Sequence, residues 1–465
     1  MTRWLVGAVA VAVTAGCGVE RGDEPGESLG QELSCPPVSG TNVSRSLAVT
    51  DPVVLAKFPF SRTMQAVLTS AGSTQSPKAL FQQWMSTFGN GAGGCSSSSI
   101  DPNGYGLRCP RTPEAALASV DPFSAAATTT FTPVALFNRF DLAPTSGAHC
   151  GEYRIVYAMG GSGTPGRMFL IFEAALPNPN PAAGIDGCLP IARFWQNLTK
   201  DGVTASRATK LENFYFNGTA IKGVQPVVTA AHYGLKDGTA ARLPGQIRTN
   251  AFVAFAEWHL REFQLRRTCV TGGACTLSVQ HVMVKNNPAD ELVKGTHANS
   301  AAFQSAFLNS VKGLSATTSP AIKMSTGTNF DEFESVSQFG TDVRYSSFAS
   351  PAFVSAIQGK LNGLGSSLTP ANILDRATTQ TCAGCHETSN GVNLGGGVVW
   401  PASGKFVHVD EFSNLSSALT TKFLPARLVT LEKFINARCT GTADAGAAPM
   451  ADGLTVGGSE EGAAN

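Results

Sequence analysis

Two thiols three residues apart with an imidazole beside the second, Cys382-Ala383-Gly384-Cys385-His386, are the stretch of this chain whose residue types and spacing specify a chemistry. The C-x-x-C-H spacing lets each sulfur add to one vinyl group of a haem lying flat against a helical turn. It also drops His386 beneath the iron as the proximal ligand. Ala383 and Gly384 are small, so a porphyrin edge can approach the backbone. With 11 Cys and 7 His in 465 residues, chance produces the pattern about 0.004 times per shuffled chain. Cysteines cluster in real proteins, however, and C-x-x-C also serves structural or redox disulfides and metal sites. A zinc site wants a second Cys/His pair, and downstream the chain offers His408 and Cys439 at no recognised spacing. A thioredoxin-like site wants a strand before the motif, whereas 374–380 has a helical period.

Haem is ligated to such motifs outside the cytoplasm, and the N-terminus supplies an export signal. Arg3 gives a positive start, 4–13 an apolar run, and Thr14-Ala15-Gly16-Cys17 a small-residue cleavage site ending in cysteine. This resembles a bacterial lipoprotein signal peptide with its lipobox. The resemblance implies that Cys17 becomes the first residue of the mature protein and anchors it to a lipid bilayer. Thr14 departs from the usual Leu three places before the cysteine. The apolar run is too short to span a bilayer. The expected location is the periplasmic side of a bacterial membrane, or the cell surface.

Setting aside Cys17, Cys382 and Cys385 leaves Cys35, Cys95, Cys109, Cys150, Cys188, Cys269, Cys275 and Cys439. An even remainder is what an exported protein without a spare thiol should have, although connectivity is not readable from sequence. Proximity suggests Cys269 with Cys275, Cys95 with Cys109 and Cys150 with Cys188, which leaves Cys35 for Cys439. A haem-free chain with Cys382 and Cys385 bonded to each other is equally even.

Charged residues make up 14%, net charge is +1 and hydrophobics are 43%. That balance describes a globular protein and excludes nucleic-acid binding by charge. Forty-nine Gly and 26 Pro point to many turns. The expected organisation is a signal peptide over 1–17, a flexible tether over 18–34, an α+β domain over 35–345, a helical domain over 346–439 and a disordered tail over 440–465. In the α+β part, 154–158, 168–174, 246–253, 259–267 and 277–285 read as strands, and 77–88, 190–198, 207–216 and 301–314 as helices. Their irregular alternation argues for a mainly antiparallel sheet.

The last third changes character. Helical periods cover 352–361, 370–380 and 415–437, with Thr369-Pro370 and Ser413-Asn414 as helix starts and Pro425 splitting the last helix. Gly391, Gly395, Gly396 and Gly397 deny regular helix to 389–401. That run reads as a hairpin or wide turn, or else as a nest for the haem propionates. Trp400 is expected either on the haem edge or in an ordinary core. Helix, haem motif, irregular loop and C-terminal helix, in that order, resemble small c-type cytochrome domains between 366 and 438. The resemblance implies one covalent haem c on Cys382 and Cys385, with His386 on the iron. The commonest monohaem cytochromes take a distal Met from the sequence after the motif, but here Met450, in the tail, is the only one. His408 is the only histidine downstream and becomes the candidate distal ligand. The open alternatives are a strand residue bonded to Asp410 or Glu411, Met324 as the ligand, or an open sixth site.

No other catalytic pattern survives. Gly160-Gly161-Ser162-Gly163-Thr164 lacks the last glycine of a nucleophile elbow. Asn138-Arg139-Phe140-Asp141 and Asp331-Glu332 read as salt-bridged structure. The function expected is one-electron transfer by a lipid-anchored monohaem c-type cytochrome with a redox partner protein. Two alternatives stay open: a haem oxidoreductase with its substrate site in the larger domain, and a haem-free, disulfide-stapled binding lipoprotein.

Overall fold

The computed structural model describes residues 37–89, 111–162, 166–252, 258–270, 273–282, 290–326, 330 and 344–438. Cys17 with its signal peptide, the tether, Cys35, Cys95, Cys109, Asp331, Glu332, Cys439 and the tail lie outside the described residues. The chain is α+β. Its eight-stranded sheet runs in the order β1 (Ala48–Val49), β2 (Thr130–Arg139), β3 (His149–Gly160), β4 (Met168–Pro177), β6 (Gln246–Ala251) and β7 (His259–Cys269). The short β5 (Lys236–Asp237) and β8 (Cys275–Val282) both pair with β7. All pairings are antiparallel except β5 with β7.

Period-two alternation gives this sheet two different faces. Tyr153, Ile155 and Tyr157 of β3, Leu170 and Phe172 of β4 and Phe263 of β7 are buried on one face. Glu152, Arg154, Glu173, Arg248 and Glu262 line the other. The apolar face is roofed by helices α1 (Phe60–Ser70), α2 (Pro77–Ser86) and α3 (Leu189–Asn197). Phe60 of α1 packs on Tyr157 at 5.1 Å between ring centres, Trp84 of α2 on Phe263 at 5.5 Å, and Trp195 of α3 on Tyr153 at 5.7 Å. The disulfide Cys150–Cys188 ties β3 to the turn before α3, and Cys269–Cys275 closes the β7–β8 hairpin. Both match the pairing expected from proximity.

After the sheet come α4 (Ser300–Leu314), α5 (Pro351–Gly363), α6 (Pro370–Thr378) and α7 (Leu424–Ala437). Helices α4, α5 and α6 pack on one another, with the Phe307 and Phe353 rings 5.2 Å apart. Helix α7 returns to the sheet, where Phe434 meets Phe140 at 4.6 Å. One cluster of buried side chains runs from Leu47 to Ile435. The two ends of the described chain also clasp: Val38 N–H donates to Asn436 Oδ1 at 2.7 Å, and Asn436 Nδ2 donates back to the Val38 carbonyl at 2.9 Å. Thr41 N–H donates to Glu432 Oε1 at 2.9 Å.

Several expectations need correction. Strand β2 and helix α1 were not anticipated. Pro133 breaks the strand signal of β2, and the register shifts there. Pro59 precedes α1 without a side-chain cap. Ser413-Asn414 does not start the last helix. Ser413 has φ +67°, and Ser416 accepts the capping bond from Leu419 N–H at 3.3 Å. A wide helical turn over Leu419–Phe423 then runs into α7, with Pro425 in its first turn.

Candidate functional site

The motif sits where α6 is made to stop. Thr369 and Asn372 form a capping box around Pro370 at the start of α6. Three threonines end the helix by back-bonding to its last carbonyls: Thr378 to Leu374, Thr379 to Arg376 and Thr381 to Thr378, at 2.7 to 3.0 Å. Thr381 Oγ1 then accepts from Gly384 N–H at 2.9 Å, and the wide turn Gly384–Thr388 carries Cys385 and His386. A Cβ on Gly384 would lie 1.7 Å from the Thr378 carbonyl oxygen. The small residue is therefore required by the helix end beneath it, a reason distinct from porphyrin approach.

Arg376 anchors this corner. Its guanidinium is 1% exposed and donates only to main-chain carbonyls: Leu394 at 2.8 Å, Leu314 at 2.8 Å, Ala316 at 2.7 Å and Gly395 at 2.9 Å. The glycine run is a tight turn closed by a bridge between Asn393 and Val399, with positive φ at Gly395, Gly396 and Gly397. It backs onto Asn372 and Arg376, as the expected turn. Trp400 is buried in the core against Phe423, with ring centres 5.5 Å apart.

Cys382 and Cys385 are not joined by a disulfide, unlike Cys150–Cys188 and Cys269–Cys275. Cys385 is buried and Cys382 half-buried. The Nδ1–H of His386 donates to the Phe406 carbonyl at 2.8 Å, which leaves the lone pair on Nε2. Lys405 and Phe406 hold φ +57° and +66°, a conformation that costs non-glycine residues about 1–3 kcal/mol each. Ser403 Oγ donates to the His386 carbonyl and pins the same loop from its other side. Trp258, Leu260, Phe252 and Phe406 pack against Cys382 and Ala383 as an apolar wall. Trp258 stacks on Phe406 at 5.4 Å and stands 6.0 Å from the His386 ring.

His408 is brought to the same place. Its Nε2 lies 3.5 Å from Cys385 Sγ, its Nδ1 lies 3.0 Å from Ser416 Oγ, and its ring centre is 4.6 Å from that of His386. The partner is Ser416; Asp410 instead bonds Phe412 N–H and Asn414 N–H within its own loop. If His408 were to hold an iron together with His386, its ring would have to leave this contact. Burial pushes the Cys385 thiol up to about 11 and the His386 imidazole down to about 4. Burial, with His386, Arg427 and Arg139 nearby, pushes His408 well below its ordinary value. At neutral pH these groups are a thiol and two uncharged imidazoles, which disfavours a Cys–His nucleophile. Among the described residues no three His, Cys, Asp or Glu side chains are arranged to hold a bare metal ion.

The floor of the site is the polar face of the sheet. Arg427 of α7 reaches Asp141 at 3.6 Å, and Asp141 pairs with Arg139 at 2.9 Å. Arg154 bridges Glu152 at 2.5 Å and Glu173 at 2.9 Å. Arg248 bridges Glu173 at 3.3 Å and Glu262 at 2.9 Å. Four guanidiniums thus face four carboxylates in one buried row, so Arg139 and Asp141 are salt-bridged as the sequence suggested. At the rim, Arg167 pairs with Glu411 at 2.5 Å. Burial alone would raise the Glu152 carboxyl, but Arg154 and Arg139 hold it down to about 2 against an ordinary 4.5. Its contribution to stability is complete above about pH 4.5 and fades as pH falls through about 2. Denaturation midpoints measured from pH 5 to 2 should therefore fall more steeply for the native chain than for E152Q. Equal slopes would reject this.

Cys382, Cys385, His386 and His408 were legible in the sequence, and the fold gathers them. Asn250, Trp258, Phe406, Ser416 and Arg427 were not, because no short spacing ties them to the motif, from the sheet before it or from the loop and helix after it. The residues present are of the types a covalently held haem would need: two cysteines in C-x-x-C-H spacing, an imidazole oriented by a carbonyl, and an apolar aromatic wall. No helix among the described residues is long and apolar enough to cross a membrane. No family model, curated protein or solved structure matches this chain.

Proposed function

We propose that this chain is an exported, lipid-anchored monohaem c-type cytochrome that transfers single electrons. Residues 346–439 are its helical haem-bearing part. Cys382 and Cys385 hold the haem by thioether bonds and His386 is the axial base. The bound haem supplies an iron that cycles between two oxidation states. The protein's part is to orient the His386 nitrogen through the Phe406 carbonyl and to keep water away with Trp258, Phe252 and Phe406. His408 is the proposed distal base, and taking that role requires its ring to move from the contact it makes with His386. A redox partner protein and a lipid on Cys17, on the periplasmic side or the cell surface, complete the proposal.

The observation that carries the reading is the gathering of Cys385, His386 and His408 at one place, with the His386 Nδ1 already engaged by a main-chain carbonyl. Expression in a host that matures c-type cytochromes should yield one covalent haem per chain by intact mass and pyridine haemochrome spectrum. C382A/C385A should carry none. A native chain without covalent haem ends this reading. A low-spin spectrum unchanged by H408A removes His408 from the iron.

A further inference from the structure

We infer that Asn250, on the sheet strand β6, is a positioning residue for His386 and acts by donating a second hydrogen bond to the Phe406 carbonyl. The inference rests on the haem reading above. The carbonyl oxygen of Phe406 receives two donors, His386 Nδ1–H at 2.8 Å and Asn250 Nδ2 at 2.8 Å. Asn250 is itself held: Trp258 Nε1–H donates to its Oδ1 at 2.5 Å. Asn250 is 2% exposed and Trp258 1% exposed, so water does not substitute for either bond. The left-handed backbone at Lys405 and Phe406 aims this carbonyl inward, and Asn250 holds that aim from the sheet.

The consequence is electronic as well as geometric. A carbonyl that shares its lone pairs between two donors is a weaker acceptor for each. The His386 N–H bond is then less polarised, its ring carries less negative character, and the oxidised iron is less favoured. Taking Asn250 away leaves His386 as the only donor of the pair, strengthens that bond and makes the imidazole a stronger electron donor. The larger, sheet-bearing part of the chain thereby helps to set the potential of a haem attached elsewhere.

The test uses the full haem-loaded chain. N250L removes the donor without adding charge. It should lower the midpoint potential while haem stoichiometry and the low-spin bands stay as in the native protein. W258F, which keeps the Asn250 to Phe406 bond, should shift the potential much less. If N250L does not fold because Trp258 Nε1 is orphaned, N250L/W258F leaves no buried donor unpaired and must show the lowered potential. A potential unchanged or raised by the loss of Asn250, or a W258F shift as large as that of N250L, overturns the inference. Absence of covalent haem from the native chain would instead sink the functional reading. In that case the carbonyl link is read from the ring 15N shifts of His386, which N250L must move for the link to stand.

Discussion

Exchange of Arg376 for methionine is expected to cost the protein about 4 kcal/mol or more, enough to leave much of it unfolded. The side chain fills a gap between the end of α4, the glycine turn and the body of α6, and all four of its bonds go to carbonyls. Methionine fills similar volume but leaves Leu314, Ala316, Leu394 and Gly395 without this donor. Each buried carbonyl left without a partner costs about 1–3 kcal/mol, and the four share one donor, so their losses do not simply add. R376K should fall between, since an ammonium has three donors and no planar fork. Urea denaturation of the three proteins checks this. A methionine variant within about 1 kcal/mol of the native chain would show that the four carbonyls find other partners.

The second large effect is expected at Glu173. It is 1% exposed and joins two arginines, accepting from Arg154 at 2.9 Å and from Arg248 at 3.3 Å, with Gln246 Nε2 at 2.7 Å. E173A takes one carboxylate from each of Arg154 and Arg248 and leaves them Glu152 and Glu262, and losing such charge-assisted bonds at a buried position costs about 1.5–3 kcal/mol each. E173Q keeps an acceptor and should lose less. R248M should lose more than E173Q, because it also takes the Arg248 pairing away from Glu262, which is 0% exposed. An R248M variant as stable as E173Q would show that the Arg248 pairings add little to the row.

How far the site was readable from sequence follows from the distance over which each signal acts. The motif is five contiguous residues, and its geometry is local. Thr369-Pro370 is an equally local signal, and the capping box is found there. Strands β3 and β4 were readable as runs rich in β-branched and aromatic residues, but β2 was lost to Pro133, whose missing N–H the sheet accommodates with a bulge. The polar face was harder. Glu152 and Arg154 on β3, or Arg248 on β6, read singly as charges bound for solvent, since only tertiary pairing reveals that they are half-buried together. His408 was found because it is the only histidine after the motif, and its neighbour Ser416 was missed because a loop returns the chain to it. Asn250 carried no signal at all: an asparagine in a strand is marked out only by the carbonyl it meets after folding.

The clasp between Val38 and Asn436 adds a matter of timing. On the proposed reading, a chain exported from its N-terminus can build the sheet and its helical roof before residue 436 emerges. Throughout that interval the row of arginines and glutamates is wet, and Cys385, not yet present or not yet docked, has no cover. Only when α7 arrives and Asn436 takes hold of Val38 does the last segment dehydrate both. If haem is attached as proposed, chemistry at the Cys385 sulfur would have a deadline set by the fold itself, and the attaching machinery would have to act on a nearly finished but still open molecule.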